Sequence, residues 1–170
     1  MAKKNTFSSL ENLRSLSISS GAVFLGPWGG IDHEKFLIVA GVAEDRILVC
    51  SVMINSQINQ YIMKRPKMLA CQVELKGKDY DFLSHDSYAN CAQPIKAKLD
   101  LFMVDDLKYC GLLNEQDLAQ VQQQIISSGS LTADEIAMFF TVTLGTVLPN
   151  FFLIGSPFSS TVNLIPPGYN

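Results

Sequence analysis

The stretch Phe36-Leu37-Ile38-Val39-Ala40 decides the fold. It is a continuous apolar run of strand length, without the polar alternation of a strand that has one wet face. Such a run reads as a strand buried on both sides. Gly41-Val42-Ala43-Glu44-Asp45 can turn the chain, and Arg46-Ile47-Leu48-Val49-Cys50-Ser51-Val52 supplies the returning strand. The pair predicts a β-hairpin whose strands are both largely buried.

Upstream, Ala22-Val23-Phe24-Leu25 is short, apolar and β-prone, and it runs into the loop Gly26-Pro27-Trp28-Gly29-Gly30. Residues 1–20 read as an N-terminal arm, either frayed or forming a short helix on Leu10, Leu13 and Leu16. Downstream, residues 55–67 are polar, basic and broken by Pro66, which predicts a loop. Met68 to Leu75 reads as a strand, with Cys71, Val73 and Leu75 alternating against Gln72 and Glu74. Gly77-Lys78-Asp79 predicts a turn. Tyr80–Leu83 and Ser87–Cys91 are short strand candidates, and Pro94–Phe102 alternates as an edge strand with its lysines in solvent.

The clearest helix starts at the cap Asn114, carries Leu118, Val121 and Ile125 on one stripe, and meets a stop at Gly129. These elements predict a mainly β, α+β domain over residues 21–131. A second cap follows in Thr132-Ala133-Asp134-Glu135, opening a tail over residues 132–170.

The charges divide sharply. All 13 basic and 16 acidic residues, and both histidines, precede residue 136. A helix in the uncharged stretch that follows would be apolar all round, as in a core or a membrane. Thr141, Thr143, Thr146, Pro149 and Asn150 weigh against a bilayer span, as does the lack of flanking basic residues. Packing on the domain, contact with a partner, membrane contact, and a segment never selected to fold all remain open readings of the tail.

A net charge of −3 argues against nucleic-acid binding through one broad basic face, while leaving room for a local cationic groove. Cys50, Cys71, Cys91 and Cys110 form no C-x-x-C pair and have two histidines at most to complement them, so neither a zinc site nor another cofactor is expected. Their spacing reads as one small apolar residue per strand or strand end. Without a secretory signal the expected location is the cytoplasm, with reduced thiols.

The chemistry-bearing residues cluster around the histidines. Asp32-His33-Glu34-Lys35 precedes the first long strand, and Ser84-His85-Asp86-Ser87 lies between two short ones. Each pairs a group titrating near neutrality with a carboxylate. Cleavage of RNA by its own 2′-hydroxyl needs a base, an acid and positive charge on the phosphorus, and those residue types are present without a metal. The competing reading is a solvated charged loop and an Asx-type turn. Lys64-Arg65-Pro66-Lys67 is the one dense positive patch, suited to phosphate contacts or simply to solvent. Trp28 is either a core plug or a stacking surface for a base.

The order of these segments resembles the MazF/PemK-type toxins of bacterial toxin–antitoxin systems and their SH3-like barrel relatives. The resemblance spans about residues 20 to 130. It is carried by Ala22 to Pro27, by His33-Glu34-Lys35-Phe36-Leu37-Ile38-Val39, by Leu83 to Cys91, and by the helix from Gly111 through Ile126. It implies an SH3-like small barrel with a C-terminal helix, a homodimer, an antitoxin partner, and cleavage of single-stranded RNA. Lys35 stands where the family usually has arginine, and lysine cannot make the bidentate fork to phosphate. The family's Ser/Thr after the returning strand matches Ser51 or Ser56. The implied catalytic set is Lys35, His33 and His85, with Asp86 orienting His85. The implied RNA contacts are Trp28, Ser56, Lys64, Arg65, Lys67 and Ser87. Two other readings stand beside it: a non-catalytic module that binds protein or nucleic acid, and a membrane-associated protein held by its tail.

Overall fold

A computed structural model of the chain describes residues 18–28, 33–103 and 106–140. The fold is mainly β, of the α+β class. Among the described residues, seven strands form one antiparallel sheet: β1 Ala22–Gly26, β2 Lys35–Val42, β3 Leu48–Asn55, β4 Gln72–Leu75, β5 Ser87–Asn90, β6 Ile95–Lys98 and β7 Lys108–Leu112. The pairing order is β4-β5-β3-β2-β1-β7. β3 is long enough to serve two neighbours on one side, β6 along Leu48–Ser51 and β5 at Ile54–Asn55.

The hairpin of β2 and β3 sits in the middle, and burial on both faces explains its apolar run. Ile38 and Ala40 point to one core with Val23, Cys50, Val52 and Ile54, while Leu37 and Val39 point to another with Ala22, Phe24 and Val49. Each successive residue changes face, so only a sequence apolar at every position can fill both.

Helix α3, Glu115–Ser127, covers the first face with Val121 and Ile125, both fully buried. Its Asn114 cap accepts from Asp117 N at 2.8 Å, and Gly129 adopts φ +71, the left-handed turn that ends a helix. Helix α4, Ala133–Phe139, follows directly, and both arms of its Thr132–Glu135 capping box are formed. The cysteines occupy the expected places, one in β3, one just before β4, one just after β5 and one in β7, all with free thiols.

Several expectations are corrected. The packed unit does not stop at residue 131, because Leu131, Phe139 and Phe140 are buried in the first core. Gly41 belongs to β2 rather than to the hairpin turn, and it lies at a register shift opposite β3. A side chain there would meet the Phe139 carbonyl oxygen at 2.5 Å, so glycine admits the end of α4 against the sheet. The turn itself falls later and uses Arg46 at φ 56.

The segment 55–67 contains the single-turn helix α1, Gln60–Met63, and Met68 and Leu69 belong to a second one, α2, Pro66–Leu69. Tyr80–Leu83 is a turn, not a strand. β7 was not foreseen. The N-terminal arm through residue 17 and the tail from residue 141 lie outside the described residues. Among the described residues, no helix is long and apolar enough to cross a membrane.

Candidate functional site

The register gathers many chain reversals at one end of the sheet. β1 and β3 finish there at Gly26 and Asn55, and β4 finishes at Leu75. β2 and β5 begin there, at Lys35 and Ser87. Gly26 pairs with Lys35, Asn55 with Tyr88, and Leu75 with Ser87. Continuing the Leu37–Met53 register brings Lys35 to Asn55, and the Lys35 ammonium donates to Asn55 Oδ1 at 3.5 Å. The two histidine segments therefore leave the same end of the sheet, with β3 between them.

Their chemistry is less connected than their placement. His33 and His85 are both exposed. His85 Nδ1 shares a hydrogen bond with Ser84 Oγ at 2.8 Å. Asp86 accepts from Gly77 N at 2.9 Å and pairs with Lys76 Nζ at 3.1 Å. The Gly77 N–H and then Lys76 hold its carboxyl below the usual range. Both carboxylate oxygens are thus engaged in closing the β4–β5 turn, and the expected orienting bond to His85 is replaced by the one from Ser84. Gly77 is needed in that turn, since a side chain would meet the His85 carbonyl carbon at 2.6 Å.

The other expected contacts divide. Ser87 is 2% exposed and donates to the His85 carbonyl at 3.1 Å, so it shapes the turn and offers no surface to a ligand. Trp28 donates through Nε1 to the Lys35 carbonyl at 2.9 Å and packs on Phe102 at 5.3 Å between ring centres. It is a plug at the rim of the second core. Ser56, Lys64, Arg65 and Lys67 are all exposed. Ser51 is fully buried in mid-strand, with no partner for its hydroxyl. Among the described residues, no group of His, Cys, Asp or Glu is arranged to hold a metal ion.

Beside Lys35 lies a cleft of about 320 Å³ that the sequence did not reveal. Asn55, Asn59, Asn90 and Gln93 line it with Tyr61, over a floor containing Met53, Ile62 and Ile95. Among the described residues, no charged side chain lines it. Arg65 lies over the Tyr61 ring at 3.4 Å and donates from Nη1 to the Tyr61 carbonyl at 2.9 Å, which makes a cation–π pair at the mouth. Residues 53–73, which supply this side, carry Lys64, Arg65 and Lys67 and no acidic residue. That run without acids was legible in the sequence. The four amides were not, because they come from the end of β3, the cap of α1, the end of β5 and the loop before β6.

A wider groove of about 610 Å³ runs between β4 and α3, lined by Gln72, Gln116, Gln120, Gln123, Gln124 and Glu74 among others. Among the described residues, it has no basic lining residue. No family model matches the chain, and no curated relative matches it.

Proposed function

We propose that the domain binds single-stranded RNA at this end of the sheet. The observation that carries the reading is the uncharged, amide-lined cleft flanked by the Tyr61–Arg65 pair and the acid-free basic segment. Amides read base edges, an exposed ring stacks on a base, and Lys or Arg neutralise phosphate. Lys64, Arg65 and Lys67 supply the cations. The overall charge of −3 confines that attraction to one local patch.

Binding should weaken with salt, the log–log slope falling by about 0.7 for each phosphate contact removed. The triple variant Lys64→Gln/Arg65→Gln/Lys67→Gln should therefore show a flatter slope in a titration of labelled single-stranded RNA. A wild-type affinity that does not respond to salt would sink the reading.

One observation favours a second, catalytic reading. His33, Lys35 and His85 leave the same end of the sheet as the cleft. In a toxin-like endoribonuclease the histidines would exchange protons with the 2′-hydroxyl and the leaving oxygen, while Lys35 stabilised the phosphorane charge. An antitoxin protein and a second copy of the chain would then be its partners. RNA bound by the purified chain and left intact, with His85→Ala binding unchanged, would leave the non-catalytic module in place.

A further inference from the structure

Two amides of the cleft, Asn55 and Asn59, meet partners that can only donate, and the other two, Asn90 and Gln93, are oriented through a relay that starts at Gln72. Gln72 Nε2 donates to the backbone carbonyl of Met68 at 3.0 Å, and a carbonyl can only accept. The same Nε2 donates to Asn90 Oδ1 at 2.9 Å. Asn90 Nδ2 in turn donates to Gln93 Oε1 at 3.3 Å. The relay leaves Gln93 with its Nε2 donors. Asn59 Oδ1 caps α1 by accepting from Ile62 N at 2.9 Å, and a backbone N–H can only donate, so Asn59 is left with Nδ2. Asn55 Oδ1 faces the Lys35 ammonium, another obligate donor, so Asn55 is also left with Nδ2.

At Asn55, Asn59 and Gln93 the oxygen is the engaged end and the amine the open end, while Asn90 spends both ends on the relay. A further detail points the same way. Gln72 Oε1 is buried without a partner, so the side chain keeps its amine on the relay at the expense of its own acceptor. The cleft is therefore rich in donors without being charged. It complements a neutral group that carries carbonyl oxygens. A phosphate would instead be drawn to the nearby lysines.

We infer that this cleft is a nucleobase subsite selective for keto bases, uracil or guanine, over adenine and cytosine; the inference rests on the RNA-binding reading. Uracil O2 and O4, or guanine O6 and N7, accept from the amide N–H groups. The ring N–H of either base can donate to the Tyr61 hydroxyl, which also accepts. Adenine and cytosine carry an exocyclic amine where guanine has O6 and uracil O4, and that amine would face the amide amines, donor against donor.

The test uses the full chain and fluorescence-labelled oligoribonucleotides of equal length, composed of uridine, adenosine or cytidine, at one salt concentration. Oligouridine should bind at least about fivefold tighter than the other two. Free uridine should displace it, and inorganic phosphate should not. Asn59→Ser keeps a capping hydroxyl and removes one amine, and Gln93→Met removes a second. The double variant should bring the uridine-to-adenosine ratio to about one with an unchanged urea midpoint. Equal binding of all three oligomers, or displacement by phosphate and not by uridine, would overturn the keto-base subsite and leave RNA binding standing. Failure of every oligomer to bind would remove both.

Discussion

The two faces of the sheet are closed in different ways. One presents aliphatic and thiol side chains from its strands and strand ends, Ile38, Cys50, Val52, Val73, Leu75 and Cys91, and its cover, Phe139 and Phe140 included, comes from α3 and α4 late in the chain. The other is closed by aromatic rings from around the strands. Phe24 meets Phe102 and Tyr109 edge-on at 5.7 Å, and Trp28 packs on Phe102. The helical face therefore depends on a cover distant in the chain. The aromatic face depends on a few rings carried by the strands and their connections.

Removing α4 should have the largest effect. A chain ending after Leu131 loses Phe139 and Phe140, 5% and 8% exposed, together with the Lys96–Glu135 ion pair that ties α4 to β6. Each buried ring contributes about 3–5 kcal/mol against alanine, so the loss approaches the whole stability of a small domain. Urea unfolding should show a collapsed midpoint. A midpoint equal to that of the full chain would mean that the helical face closes without α4.

Next comes the aromatic face. Phe102→Ala removes the ring shared by Phe24 and Trp28 and should cost about 3–5 kcal/mol, with a blue- or red-shifted Trp28 emission reporting on the same spot. A change below about 1 kcal/mol would show that the rings are packing ornament there rather than a cover.

Alkaline pH should act on the helical face alone. Burial pushes the Cys50 and Cys91 thiols from 9.0 up to about 12. The folded state holds these protons more tightly than the unfolded one. Their contribution is thus complete below pH 9 and is lost as the pH rises toward 12, with a slope of about 1.4 kcal/mol per pH unit for each thiol. Stability measured at pH 8 and pH 10 should fall, and Cys50→Ala/Cys91→Ala should flatten the fall. An equal drop in that variant would assign it to other groups.

The smallest effect should have the opposite sign. Ser51 lies between Cys50 and Val52 and so faces the aromatic side, where its buried hydroxyl has no partner. Ser51→Ala should be neutral or stabilise by about 1 kcal/mol. A loss of more than that would reveal a hydroxyl bond that the packing does not show.

The strands with a clean hydrophobic signal were legible before any coordinates. Phe36–Ala40 lies in β2, Cys71, Val73 and Leu75 alternate as read, and the Asn114 and Thr132 caps open helices. Elements with a weak local signal were not. β7 is short, with Tyr109 and Leu112 about half exposed, and it is a strand because β1 offers it an edge. The helical turns α1 and α2 are too short to show a period. The charged candidates Lys35, His85 and Asp86 were visible as residue types, but not that Asp86 would close a turn with Lys76 and Gly77.

What the sequence determined by itself is the mainly β class, the buried central hairpin, the helix starts, and an abrupt end to charge after Glu135. Those follow from side-chain periodicity and capping, which act over a few residues. The tertiary structure decided that Gly41 admits α4, that the core runs through Phe140, and that four amides meet beside Lys35, three of them with open amines. These depend on contacts between segments far apart in the chain, where the role of a glycine or an asparagine is set by what packs against it.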